Sequence, residues 1–314
     1  MKFKRYLQES RNTLLADINE ILLGLYMVDG DWKKYDDAVS SKKQLEIRSS
    51  QISPEDYEIQ KLRAEDMANA VKSWAAQNGY TGYIKRAWWT ARPNVLSKAV
   101  GQSVDSRKNP TDTLVQFSDG KFLGLSAKST KGKGDIGFKN PGLGTMQKIF
   151  KMDLSKVEKL ENDAVKTLEL PTSKNARKKY IRDNPDIQEK TIEIGKQILS
   201  VLRLEMFNAL NKLNKKQLAD HIVNNWMDAE VQYPPYIKVT GHGNKAGSIT
   251  SSILDPLKND KVTMLYNKQI NLEMIGNDSI GVSVGREGKR IMKMRFKYES
   301  EKLASSIKLS GDPW

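Results

Sequence analysis

The segment between residues 113 and 129 constrains the fold of this chain more strongly than any other part of it. Two apolar runs, 113–117 and 122–127, are separated by Ser118-Asp119-Gly120. Short β-rich runs joined by a tight turn that contains Asp and Gly are typical of a β-hairpin. A stretch rich in Lys and Gly follows at 129–144. The sequence therefore predicts a two-stranded hairpin whose second strand leads into a basic loop.

The remaining segments predict a mixture of helices and strands. Apolar residues recur at helical spacing over 10–28 and again over 62–78. A strand is predicted at 83–89, helices dominate 145–229, and the region 236–298 after Pro234-Pro235 is rich in strand patterns. The strand candidates in this last region are 262–266, 269–275, 279–284 and 291–298.

Composition excludes several classes of site. The 314 residues contain no cysteine and only two histidines, which excludes disulfides, thiolate catalysis and zinc sites built from Cys or many His. No apolar run approaches the roughly 20 residues that span a bilayer, and no secretory signal is recognised. The 52 Lys and Arg against 38 Asp and Glu give a net charge of +14, which favours a polyanionic partner. We therefore expect a cytoplasmic protein, of a bacterial or phage-infected cell, that binds nucleic acid and no membrane.

The hairpin carries the residues that predict chemistry. Asp112 precedes the first strand, and Ser126 and Lys128 share one face of the second because strand side chains alternate. A carboxylate and an ammonium then converge, and the Ala127 carbonyl adds a second oxygen near Asp112. Oxygen ligands suit Mg²⁺, with Mn²⁺ expected to substitute, and Lys128 would orient a water or offset charge in the transition state. The alternative is an Asp that caps a turn and a Lys at a sheet edge.

The segments Pro110-Thr111-Asp112 and Ser126-Ala127-Lys128 resemble the signature of the PD-(D/E)xK nuclease superfamily, which has the restriction-endonuclease-like fold. Two features depart from that signature: one residue separates the Pro from the Asp, and Ser126 stands where the family usually carries an acid. The resemblance implies that Asp112, Ser126 and Lys128 are catalytic, with metal held by Asp112 and Ala127. It also implies that another acid compensates for Ser126.

Members of that superfamily often add a Glu from the helix before the sheet, and this sequence offers more than one candidate. Glu20 is preferred because it lies within an apolar helix and Gly24 leaves space beside it one turn later. Glu65 is the weaker alternative because it shares its side of the helix with polar residues, and Asp135 is a third. Gln147 matches a position at which some relatives carry an auxiliary Gln. A solvated surface side chain is the alternative for each of them.

Basic residues predict where nucleic acid would bind. Between residues 121 and 151 there are seven lysines and one acid, and two further basic clusters follow. The residues selected as contacts to nucleic acid are Lys131, Lys133, Lys139, Lys178, Lys179, Arg286, Lys289 and Arg290. Contacts of this kind are salt-dependent because they bind phosphates. The pair Trp88 and Trp89, between arginines, is expected in the core, with base stacking as the alternative.

Together these observations predict an α/β protein with a mixed central sheet flanked by helices. We expect a nuclease core over 1–150, a helical segment over 151–230 that completes the core or contacts DNA, and a β-rich DNA-binding or specificity module over 231–314. The predicted activity is Mg²⁺-dependent DNA endonuclease, restriction-like or of a phage or mobile element, and symmetric cutting would imply a homodimer. The alternatives are a non-catalytic DNA-binding protein on a degenerate nuclease fold and a nuclease that acts on RNA.

Overall fold

The chain divides into two compact units that do not follow the order of the sequence. The computed structural model describes residues 11–105, 109–130, 141–227 and 233–313. Unit 1 is drawn from residues 1–135 and 231–257, and unit 2 from 136–230 and 258–314. Each unit has its own sheet and its own hydrophobic core.

This division shares the predicted boundary between residues 230 and 231, but its first boundary lies at 135/136 and a further one lies at 257/258. The strand Tyr236–His242, which we placed in a C-terminal module, pairs in parallel with the second strand of the hairpin, from Gly124↔Tyr236 to Thr130↔His242. Parallel neighbours need a long connection between them, and here that connection runs through the helices of unit 2. The sheet hydrogen bonds therefore join segments that lie about 110 residues apart. A prediction that divides the sequence into consecutive domains assigns these segments to different domains.

Unit 1 is a five-stranded mixed sheet flanked by helices. The strands, in their order across the sheet, are β1 (Ile84–Trp89), β2 (Thr113–Phe117), β3 (Phe122–Thr130), β4 (Tyr236–His242) and β5 (Thr250–Leu254). All neighbours are antiparallel except β3 and β4. The helices are α1 (Arg11–Met27), α2 (Ala38–Ser49), α3 (Pro54–Gln77) and α4 (Val95–Val100).

Local sequence explains the helices that support the sheet. The predicted helix at 10–28 is α1, and α3 begins at the Ser53-Pro54 signal, where the Ser53 hydroxyl accepts a hydrogen bond from the Asp56 N–H. The predicted helix at 62–78 is the second part of α3. A start signal and an apolar stripe thus act together to form the longest helix of unit 1.

The core of unit 1 lies between α1, α3 and one face of the sheet. Buried residues of that face, such as Val115 and Leu125, pack in one cluster with Ile18 of α1 and Met67 of α3. On the opposite face Trp88, Leu96 and Leu114 form a smaller cluster.

Unit 2 consists of helices and a four-stranded antiparallel sheet. Its helices are α5 (Leu143–Phe150), α6 (Ser155–Thr167), α7 (Lys174–Asp183), α8 (Pro185–Asn211), α9 (Lys215–Asp220) and α10 (Asp260–Asn267). Its strands are β6 (Ile270–Ile275), β7 (Ser279–Val284), β8 (Lys289–Tyr298) and β9 (Ile307–Pro313), in that order. Residues of α8 such as Leu202 pack with Val282 and Phe296 of the sheet.

One predicted strand of this region is wrong. Residues 262–266 lie in α10, which begins where the Asn259 side chain accepts a hydrogen bond from the Lys261 N–H and which buries Leu265. Capping and one-sided burial override the β-branched residues that suggested a strand. The candidates 269–275, 279–284 and 291–298 are confirmed as β6, β7 and β8. Among the helices that the structure describes, none is long and apolar enough to cross a membrane.

Candidate functional site

The hairpin of β2 and β3 brings Asp112 and Lys128 together. The register ends at Thr113↔Leu125, so Asp112, the residue before β2, lies beside the part of β3 that carries Ser126 and Lys128. These two residues of β3 are two positions apart and share one face of the strand. The Lys128 Nζ lies 3.2 Å from Asp112 Oδ2. The predicted juxtaposition of these two side chains is therefore present.

Asp112 directly precedes β2, and its carboxylate accepts hydrogen bonds from β3. Its Oδ2 accepts from the Ala127 N–H at 2.9 Å, from the Lys128 ammonium at 3.2 Å and from the Ser126 hydroxyl at 3.5 Å. Partial burial raises the pKa of Asp112, and the Lys128 charge with the three hydrogen bonds opposes that rise. The side chains of Asp112 and Lys128 are 26% and 38% exposed, so both are open to a ligand from solvent.

The residues before Asp112 hold it in register. Asn109 is buried, and its side-chain oxygen accepts from both the N–H and the hydroxyl of Thr111. Gly124 of β3 makes room for Thr111, because a Cβ at that position would lie 2.1 Å from the Thr111 Oγ1. The Asp112 N–H then donates to the Leu125 carbonyl at 2.9 Å. A glycine and a polar turn thus fix the backbone that carries the carboxylate.

Glu20 of α1 contacts the residue that follows Asp112. Its backbone carbonyl accepts a hydrogen bond from the Thr113 hydroxyl at 2.9 Å, and Thr113 is the residue directly after Asp112. Its carboxylate accepts a hydrogen bond from the Trp89 indole N–H at 3.0 Å. Glu20 is 9% exposed. The role of Glu20 as the additional acid stays a prediction.

The electrostatics of Glu20 and Asp112 are linked. Burial, followed by the Asp112 charge, raises the pKa of Glu20 to about 8, while the Trp89 hydrogen bond and Lys128 act in the opposite direction. Two carboxyl groups near one ammonium leave an excess of negative charge in a poorly solvated place. Such a site favours a proton or a cation.

Trp89 is a structural part of this site. It is 3% exposed, and the guanidinium groups of Arg48 and Arg92 lie 5.4 and 5.8 Å from its ring centroid. Trp88 is 5% exposed on the opposite face of the sheet. Both tryptophans are therefore core residues, as expected, and base stacking is not available to them.

The alternative acids fall elsewhere or outside the described part of the chain. Glu65 is exposed on α3 and lines a shallow surface cavity with Asp66, Asn69 and Gly247. Asp135 lies outside the described residues. Gln147 is half-buried on α5 of unit 2.

The basic residues predicted to contact nucleic acid have different surroundings. Lys131, Lys133 and Lys139 lie outside the described residues. Arg286, Lys289 and Arg290 are exposed at and after the turn between β7 and β8. Lys178 and Lys179 of α7 form ion pairs, with Glu301 at 3.6 Å and with Asp183 at 2.5 Å. Part of the charge of these two α7 lysines is thus already neutralised within unit 2.

The site offers oxygen ligands to a cation. Since N–H and C=O of one strand residue point to the same side, the Ala127 carbonyl points to the side on which its N–H meets Asp112. Two carboxylates and a carbonyl form a donor set that suits a hard divalent cation. In the described part of the chain, no group of three or more His, Asp or Glu side chains is placed to hold a metal ion. Ser126 is 1% exposed and stands where the signature of the resembling superfamily has an acid, so this position supplies a hydroxyl in place of a third carboxylate.

Sequence reasoning missed the residues that support the site. Gln60 and Arg63 of α3 are 3% and 4% exposed and bind Ser129, the residue after Lys128. Both lie on the buried side of the helix, Gln60 two turns and Arg63 one turn before Met67. Polar residues in register with an apolar stripe were the signal that could have identified them.

Comparison with known proteins adds no family to this description. No protein-family model matches the chain, and no curated protein matches it at a significant level.

Proposed function

We propose that this protein is a Mg²⁺-dependent DNA endonuclease built on a restriction-endonuclease-like core in unit 1. The observation that carries the proposal is the pair formed by Asp112 and Lys128 on neighbouring strands, 3.2 Å apart, with the Ala127 N–H on the same carboxylate oxygen. Beside this pair, Glu20 adds a second carboxylate. This arrangement follows the chemistry of the superfamily that the sequence resembles.

In this proposal each residue has one task. Asp112, Glu20 and the Ala127 carbonyl hold the cation, which when bound neutralises the scissile phosphate and makes the attacking water more acidic. Lys128 places its ammonium where negative charge develops and orients the water. The Ser126 hydroxyl, 3.5 Å from Asp112, orients the carboxylate. DNA is the substrate we infer from the +14 net charge and from the exposed basic residues Arg286, Lys289 and Arg290.

The hairpin provides its own controls for a test. Asp119 and Lys121 form an equivalent ion pair of 3.3 Å at the turn, at the opposite end of the hairpin. We expect Asp112→Asn and Lys128→Met to abolish Mg²⁺-dependent cutting of plasmid while DNA binding is retained. Asp119→Asn and Lys121→Met should cut like the wild type. Equal loss of cutting in all four variants would contradict the proposed site.

A second function is favoured by one observation, the serine at position 126. Without a carboxylate there, the fold would bind DNA without cutting it. Failure of the wild-type protein to cut with Mg²⁺, Mn²⁺ or any other divalent metal, together with salt-dependent DNA binding, would support this alternative. Preferential cutting of RNA in the same assay would show that RNA, and not DNA, is the substrate.

A further inference from the structure

A buried polar network lies directly behind the strand end that carries Lys128. The Ser129 hydroxyl donates to Gln60 Oε1 at 2.9 Å and accepts from Arg63 Nη1 at 2.5 Å. Both partners come from α3, one turn apart. Ser129 alternates with Lys128 along β3, so the two side chains leave opposite faces of the sheet. The network therefore holds β3 from the face opposite to the Lys128 side chain.

Arg63 is the centre of this network. It is 4% exposed, and its Nε and Nη2 both donate to the Gly243 carbonyl, the former at 2.8 Å. Burial lowers the pKa of Arg63. The acceptors that bind it, a carbonyl and a hydroxyl, are neutral. Among the residues that the structure describes, no carboxylate forms an ion pair with this guanidinium, and burial of such a charge is costly. Its planar fork is suited to fixing two backbone segments at once.

The surrounding residues are shaped to admit this arginine. A Cβ at Gly241 of β4 would lie 3.0 Å from the Arg63 Cβ and 2.9 Å from the Met67 Sδ. The glycine thus allows α3 to approach the strand that neighbours β3. On the other side, the Gln60 carbonyl accepts from the Asn19 side chain at 3.4 Å, and Asn19 precedes Glu20. The network is therefore next in sequence to two candidate site residues.

We propose that Arg63 and Gln60 are positioning residues, which hold Ser129 and thereby fix the Lys128 ammonium against Asp112. The position of Lys128 can be tested whether or not the protein cuts DNA. The effect of that position on catalysis rests on the proposed function. Removal of the Arg63 guanidinium frees the end of β3, so that the Lys128 ammonium separates from the Asp112 carboxylate more often. Global unfolding is a separate effect and is measured separately.

The test reads the position of Lys128 without relying on activity. Lysine acetylation by a small acylating reagent is followed by mass spectrometry, and the rate at Lys128 is divided by that at Lys121 in the same sample. We expect Arg63→Gln to raise this ratio roughly tenfold, Ser129→Ala to raise it in the same direction, and Arg63→Lys to give an intermediate value. The Arg63→Gln and Ser129→Ala effects should be non-additive because they remove one shared contact.

Arg177 supplies a matched control. It is a buried arginine of unit 2 that donates to the carbonyls of Pro171 and Leu303, so Arg177→Gln also removes a buried fork. We expect it to lower stability and leave the acetylation ratio unchanged. An unchanged ratio in both Arg63→Gln and Ser129→Ala would overturn the proposal, as would the same increase in Arg177→Gln. If Arg63→Gln does not fold, Ser129→Ala, which removes one hydroxyl, decides the question.

Activity then separates this inference from the proposed function. Where the wild-type protein cuts DNA, Arg63→Gln should lower kcat roughly 10–100-fold at unchanged KM, since Lys128 acts on the transition state. A wild-type protein that never cuts, combined with a raised acetylation ratio in the variants, would reject the nuclease and support the positioning role. Unchanged kcat together with an unchanged ratio would reject the positioning role alone.

Discussion

The indole N–H of Trp89 donates a hydrogen bond of 3.0 Å to the Glu20 carboxylate, and both side chains are buried. Trp89 is also the strand partner of Thr113, whose hydroxyl binds the Glu20 carbonyl. Two hydrogen bonds therefore attach one residue of α1 to the strands next to Asp112. This relationship explains how a helix that is distant in sequence contributes to the candidate site.

Trp89→Phe should destabilise unit 1 and raise the pKa of Glu20 further, because that hydrogen bond favours the ionised carboxylate. Loss of the bond to a buried acid is expected to cost about 1–3 kcal/mol, in addition to the smaller ring. Urea unfolding measures this change. Trp88→Phe truncates the neighbouring indole on the other face, and a pKa of Glu20 that moves equally in both variants would contradict the prediction.

Stability should decrease as pH rises from about 4.5 to about 8. The pKa of Glu20 is raised from 4.5 to about 8, so in this range the folded protein holds a proton that the unfolded chain has released. Glu20→Gln removes this difference and should flatten the pH dependence, with a gain in stability at pH 8. Urea titrations in EDTA at several pH values measure it. The exposed Glu65→Gln is the control and should retain the wild-type slope.

Lys128→Met should be more destabilising than the double variant Asp112→Asn/Lys128→Met. The single change leaves the Asp112 carboxylate without its ammonium, whereas the double change removes both charges. We expect a loss of about 1–3 kcal/mol for the single variant, limited by the partial exposure of the pair. Equal free energies of unfolding for the single and double variants would contradict this prediction.

Mg²⁺ or Mn²⁺ should raise the Tm of the wild-type protein if the site holds a cation as proposed. A ligand that binds only the folded state stabilises it by about 2.7 kcal/mol at a concentration of 100 times its Kd. Asp112→Asn should lose this shift and Asp119→Asn should retain it, measured by calorimetry against an EDTA control. A shift of equal size in both variants would place the cation elsewhere.

Gly24→Ala should destabilise α1, although alanine is the better helix former by about 1 kcal/mol. A Cβ at this position would lie 2.8 Å from the ring and hydroxyl of the buried Tyr35. Overpacking of this kind costs about 1–3 kcal/mol, which exceeds the gain in propensity. Thermal unfolding measures the sign, and Gly144→Ala, where the added Cβ meets nothing within 4 Å, is the control on α5.

The Gly24 position also shows how far sequence reasoning reaches. The sequence predicted that this glycine leaves space beside Glu20, and the structure shows that a Cβ there would meet the Tyr35 ring. The group that fills the space, Tyr35, comes from a different segment and has no signal in the helix itself. Likewise, the sequence of α3 contains Gln60 and Arg63, but their partners Ser129 and Gly243 lie 69 and 180 residues away.

The sequence by itself determined the hairpin and the pairing of Asp112 with Lys128, because a tight turn and the two-residue alternation of strands are local properties. It also determined the bounds of α1 and the start of α3, through apolar spacing and a capping signal. Only the tertiary structure decided that Glu20 binds Trp89 and Thr113 while Glu65 is exposed on α3, and that β4 belongs beside β3. Those outcomes depend on contacts between distant segments, whose free energy is gained only when the whole sheet and its helices pack together.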